Sequence, residues 1–188
     1  MISLLDDSLI ADVIQAGKMT TAVLERIYSY CRIGAEMGVD VILETCSSVG
    51  ASVDCIQPFF NIPVLRIDRP MIEKAVDESS RIGVMATLPT TLEPTMDLVK
   101  KVADEKGKEV SIVNGLAEGA FQAITKGDAE THDRMIMEKA SALVKSCDTI
   151  VLAQGSMARM EKPLRESTGL TVLSSMRLGL ESLKSYFK

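Results

Sequence analysis

Tryptophan is missing from this chain, and aromatic residues fill only 4% of its 188 positions. Its core must therefore rest on aliphatic side chains and on eleven methionines, which are soft fillers of irregular space. Histidine is nearly absent too. His132 is the only one, and it falls early in an expected helix rather than at a strand end. That placement argues for a cap or surface role. It excludes a Cys–His dyad built at strand ends and histidine-based metal sites. No Cys-x-x-Cys spacing links Cys31, Cys46, Cys55 and Cys147, so a reduced compartment fits them better than a disulfide framework. No apolar run reaches the roughly 18 residues that span a bilayer. The segment Met1–Asp7 has no basic stretch and meets acid at once, unlike a signal peptide. Cytoplasmic location is the default expectation. The net charge of −5, with no basic stripe, argues against nucleic acid as a partner.

What is present is an alternation of short apolar runs with amphipathic stretches, the pattern of βα units on a parallel sheet. Strands are expected over residues 1–5, 40–45, 62–67, 82–86, 110–113, 149–153 and 172–174. Helices are expected over 19–37, 48–57, 70–79, 91–106, 116–126, 129–145 and 176–187, with a short one opening at 156–159 and broken at Pro163.

The segments also repeat. Asp40-Val41-Ile42-Leu43-Glu44-Thr45-Cys46 and Asp148-Thr149-Ile150-Val151-Leu152-Ala153-Gln154 share one grammar, 108 positions apart. Pro63-Val64-Leu65 and Thr171-Val172-Leu173 fall on the same offset, as do Ser3-Leu4-Leu5-Asp6 and Ser111-Ile112-Val113-Asn114. So long a period excludes a solenoid and predicts two related lobes. The expected fold is α/β, with two pseudo-symmetric lobes of mainly parallel sheet flanked by helices. Residues 1–79 with 170–188 form the first lobe, and 80–169 the second. The partner of strand 82–86 would lie before residue 1, so the first lobe is expected to lack its first βα unit. An unpaired strand edge of that kind invites a partner chain.

Three strand ends carry candidate chemistry, because open α/β sheets bind ligands at the carboxyl ends of their strands. Cys46-Ser47-Ser48 offers a thiol beside hydroxyls and the N–H groups of a helix start, which favour a thiolate or a carboxylate. Cys46 also fits a small buried apolar role. Thr87-Leu88-Pro89-Thr90-Thr91 offers hydroxyls for an anion, or simply a helix cap. Gln154-Gly155-Ser156 offers an amide that hydrogen-bonds but does not exchange protons near neutral pH, or a plain turn. Arg159 reads as a carboxylate clamp or a surface charge, and Asp68 as an acid reaching the cleft or, more simply, a helix cap before Pro70.

Together these stretches resemble the aspartate/glutamate/hydantoin racemase superfamily over nearly the whole chain. The resemblance lies in Leu5-Asp6-Asp7-Ser8-Leu9, Thr45-Cys46-Ser47-Ser48-Val49-Gly50, Pro63-Val64-Leu65, Arg81-Ile82-Gly83-Val84-Met85-Ala86-Thr87, Val151-Leu152-Ala153-Gln154 and Ser156-Met157-Ala158-Arg159. It implies a substrate between two lobes and chemistry without a cofactor, in which one cysteine per lobe moves a proton at the carbon beside a carboxylate. Cys46 corresponds to the first-lobe cysteine, and Gln154 stands where the second would be. Ser47, Ser48, Thr87, Thr90, Thr91, Gln154 and Ser156 become the expected substrate-binding set. The expected partner is a small carboxylate, with no cofactor, no metal and a homodimer or other homo-oligomer. With one thiol, the open alternatives to racemisation are decarboxylation, cis-trans isomerisation and carboxylate binding without turnover.

Overall fold

Leu152 and its neighbours in Thr149–Leu152 are buried at every position, as befits a strand covered on both faces. This strand, β5, is central to the larger of two parallel sheets in the computed structural model, which describes residues 1–187. In chain order the elements begin with α1 (Ser8–Ala16), α2 (Thr21–Glu36), β1 (Ile42–Glu44), α3 (Ser52–Ile56), β2 (Val64–Arg66) and α4 (Arg69–Glu78). They continue with β3 (Arg81–Ala86), α5 (Pro89–Glu105), β4 (Ser111–Leu116), α6 (Ala120–Thr125), α7 (Ala129–Leu143) and β5. Last come α8 (Glu161–Thr168), β6 (Thr171–Ser174) and α9 (Ser175–Ser182). One sheet pairs β1 with β2; the other runs β4-β3-β5-β6, and every pairing is parallel. The α/β architecture of two parallel sheets flanked by helices is thus the expected one. Among the described residues no helix is long and apolar enough to cross a membrane.

Three clusters hold the molecule. Met71, Ile72 and Val76 of α4 join Leu98, Val99 and Val102 of α5 on one face of the larger sheet. Ile136 and Leu143 of α7 join Leu164 of α8 on the other face. Val23, Ile27 and Cys31 of α2 pack with Val49, Val53 and Val64 around the small sheet.

These clusters redraw the expected lobes. Residues 171–174, assigned to the first lobe, pair with β5 in the larger sheet. Residues 69–78, also assigned there, pack against that sheet too. The reason is contact: α4 and α9 lie together on the larger core, and Gly179 of α9 sits directly on the chain at Ile67. A Cβ at position 179 would come within 2.5 Å of the Ile67 carbonyl oxygen. Gly179→Ala is therefore expected to push α9 off and lower the unfolding free energy, read by urea unfolding, by about 1–3 kcal/mol, an overpacking cost.

Residues 1–5 are not a strand, although they repeat the start of β4. In the larger sheet β4 pairs with β3 alone. The small sheet has no counterpart of β3 among the described residues, so residues 1–5 have no ladder to join. Ile2, Leu4 and Leu5 are exposed, and β1 is half-buried along its length where β5 is fully covered. Pro163 does not break its helix. It lies in the first turn of α8, where an N–H has no intrahelical acceptor in any case.

Candidate active site

The carboxyl ends of β1, β3, β5 and β6 face one cleft of about 170 Å³. Thr45, Cys46, Ser47 and Ser48 line it from the loop after β1; Ala153, Gln154, Gly155 and Ser156 line it from the loop after β5. Cys46 and Gln154, 108 positions apart in sequence, thus share one space. Thr91 faces it from the first turn of α5, and its hydroxyl lies 2.8 Å from the Ser48 hydroxyl, a bridge between the two sheets' loops.

Cys46 is half-buried. Burial raises its thiol above the usual value, and nearby Glu44 adds to the rise. The Ser48 and Val49 backbone and the Ser48 hydroxyl pull the other way, while the Val49 N–H donates to the Cys46 carbonyl at 3.0 Å. The raised value makes the resting group a protonated thiol.

Gln154 is held by Thr87. Its Oε1 accepts from the Thr87 N–H at 2.6 Å and from the Thr87 hydroxyl at 2.9 Å. Both Thr87 donors are occupied within the protein, and Thr87 stands behind Gln154 rather than on the cleft wall. Thr90 is not on the wall either; its hydroxyl is enclosed and has no hydrogen-bond partner. The amides at this helix start are also fewer than a free N-terminus offers. Pro89 has none, and Thr91 N–H bonds the Leu88 carbonyl at 3.1 Å.

Other residues of the wall carried no signal in the motifs. Ile10 comes from α1, a helix of nine residues outside every element expected from the sequence. Leu88, Phe121 and Ser175 complete the apolar side and the floor. Ser175 follows β6 and is the fourth strand end. The repeat pointed to that strand, since β2 and β6 share the 108-residue offset.

Three further expectations change. His132 is neither a cap nor a surface residue: it is fully buried, Asp128 caps α7, and the ring Nδ1 lies 2.8 Å from Asp133. Asp68 makes no side-chain cap. Its carboxylate instead receives Nε and Nη2 of Arg66, each at 2.9 Å. Arg159 pairs with Asp133 at 2.5 Å, half-exposed and away from the cleft wall, so the surface reading is the right one.

A two-lobed α/β molecule, with a thiol at one strand end facing the other lobe across a small cleft, is a known class of scaffold. Residues 2–183 match the family model described as Asp/Glu/Hydantoin racemase, and the chain belongs to that family. The fold is similar to that of glutamate racemase isoform RacE1 from Bacillus anthracis, at 17% identity and a TM-score of 0.66, covering 87% of this chain and 66% of that one. It is also similar to allantoin racemase from Klebsiella pneumoniae, at 17% identity and a TM-score of 0.68, covering 87% of this chain and 65% of that one. An arylmalonate decarboxylase shares the fold at 13% identity and a TM-score of 0.61, covering 88% of this chain and 76% of that one. The chain thus spans just under two thirds of the length of the two racemases. No curated protein sequence matches it.

Proposed function

We propose that this protein is a cofactor-independent enzyme of the racemase type that moves a proton at the carbon beside a carboxylate, with Cys46 as the acid/base group or nucleophile. The observation that carries this reading is placement: Cys46, at the carboxyl end of β1, and Gln154, at that of β5, line one small cleft among hydroxyl side chains. The Ser48 and Val49 backbone and the Ser48 hydroxyl favour the thiolate formed whenever the thiol gives its proton to a substrate carbanion. Ser47, Thr91, Ser156 and Ser175 offer hydroxyls to a carboxylate from the cleft walls. Ile10, Leu88 and Phe121 accept a small apolar substituent.

Gln154 sets the stereochemical limit. Racemisation needs proton transfer on both faces of the carbon, and an amide supplies none. The reading therefore favours proton transfer on one face: either CO2 leaves and the Cys46 thiol protonates the carbanion, or the thiolate form of Cys46 removes the α-proton and returns one from solvent to the same face. The test is solvent deuterium incorporation at the α-carbon of 2-substituted carboxylic acids, hydantoins and dicarboxylates, followed by mass spectrometry with chiral separation. Deuterium without inversion is the expected result. Binding without any exchange or turnover across the panel would leave a carboxylate-binding protein, the reading that the raised Cys46 thiol favours second. Gln154→Cys supplies a thiol on the opposite wall, so it should convert exchange with retention into measurable racemisation, while leaving Thr87 without its acceptor.

A further inference from the structure

Glu44 ends β1, two residues before the thiol, and the reaction outlined above makes no use of it. Its Oε1 accepts the Cys46 N–H at 2.5 Å. Both residues line a second cavity of about 330 Å³, bounded largely by apolar side chains of α1, α2 and β1. Cys46 alone of this pair also lines the substrate cleft, so it forms the wall between the two spaces. Glu44 has no cation to itself. The nearest one, Arg66, commits Nε and Nη2 to Asp68, and both members of that pair are buried.

We infer that Glu44 is the positioning residue of Cys46, holding the cysteine's backbone through its N–H and governing by its own charge how readily the thiol becomes a thiolate. This rests on the reading of Cys46 as the reactive group. The titratable and charged groups that face Glu44 are Cys31 from α2, Cys46 from its own loop, and Arg66 with Asp68 from the end of β2 and the start of α4. The Cys46 N–H bond lowers the Glu44 carboxyl, Asp68 raises it and Arg66 lowers it. Burial dominates, and pushes the Glu44 carboxyl up to about 8.

Below about pH 8 Glu44 is neutral and Cys46 loses its proton against burial alone. As pH rises through that point Glu44 becomes an anion, and a thiolate beside it becomes harder to form. Two coupled groups then share their protons over a broad range rather than titrating one by one. The enzyme so built keeps Cys46 as a proton donor across neutral pH and resists becoming a permanent thiolate in base.

Iodoacetamide alkylation of the full chain against pH, read at the Cys46 peptide by mass spectrometry, tests this without turnover. Failure of the catalytic reading therefore leaves the result interpretable. In Glu44→Gln the amide keeps the size and the acceptor oxygen but not the charge. Cys46 should then titrate in one step, about one pH unit lower, and react about tenfold faster near pH 9. A purely structural loosening would raise the rate equally at every pH, and that pattern overturns the charge role. Superimposable wild-type and Glu44→Gln profiles overturn it as well. Should Glu44→Gln fail to fold, infrared spectra of the wild type decide. A protonated-carboxyl band near neutral pH that vanishes above about pH 8 supports the inference, and its absence near pH 7 overturns it.

Discussion

Cys46→Ser should keep its fold and lose α-carbon exchange by about 10²- to 10⁴-fold, the usual contribution of a positioned acid/base group. The fold survives because the change swaps one small atom in a half-buried loop and removes no core contact of size. The loop's own bonds, Val49 N–H to the carbonyl of residue 46 and Cys46 N–H to Glu44, run through the backbone and are untouched. The chemistry fails because an alcohol holds its proton far more tightly than a thiol. Groups that favour a thiolate cannot lower an alkoxide into reach at neutral pH. Ligand binding separates the roles. Carboxylate hydroxyl donors at Thr91, Ser156 and Ser175 are untouched, so thermal stabilisation by a bound acid should persist in the variant. Loss of exchange with retained binding supports Cys46 as the reacting group. Exchange that continues unchanged would remove it from the mechanism.

The repeat told more about this site than any motif did. Cys46 and Gln154 were placed opposite each other by an offset alone, and they do line one cleft. Strand alternation gave the two parallel sheets, because a buried parallel strand writes itself as an unbroken apolar run such as Ile150–Ala153. Other features had no local signature. Residues 1–5 have a strand's sequence, but a strand also needs a neighbour, and pairing is not written in the segment itself. The lobe boundary failed for the same reason. Val172 and Leu173 are equally apolar whichever sheet they join, and only the pairing with β5 decides. Glu44 was hidden in plain sight as one residue of a strand. Nothing in Ile42-Leu43-Glu44 says that the carboxyl turns back to the Cys46 N–H. His132 misled because position in a helix does not reveal which way the side chain points. Asp68 misled because an acid before a proline is a common cap, while its actual partner is two residues upstream.

That partner makes the second large prediction. Arg66→Met should destabilise the protein by about 3–5 kcal/mol, because it leaves the Asp68 carboxylate buried without its cation. The pair is nearly sealed: side-chain exposures are 4% for Arg66 and 1% for Asp68. Two parallel bonds of 2.9 Å join them, the fork geometry that arginine gives a carboxylate and methionine does not. The guanidinium also supports the Cys46 loop. Gly50 lies so close to it that a Cβ there would stand 2.8 Å from the guanidinium carbon. Removing Arg66 thus withdraws both a charge partner and the floor under Cys46-Ser47-Ser48-Val49-Gly50. A domain of ordinary stability holds about 5–15 kcal/mol in total, so a loss of this size should be plain in urea unfolding. Asp68→Asn, which strands the arginine instead, should cost a similar amount. The double variant Arg66→Met with Asp68→Asn should cost clearly less than the sum, since neither charge is then left alone. A single-variant cost below about 1 kcal/mol, the range of exposed pairs, would mean that water reaches this pair in solution.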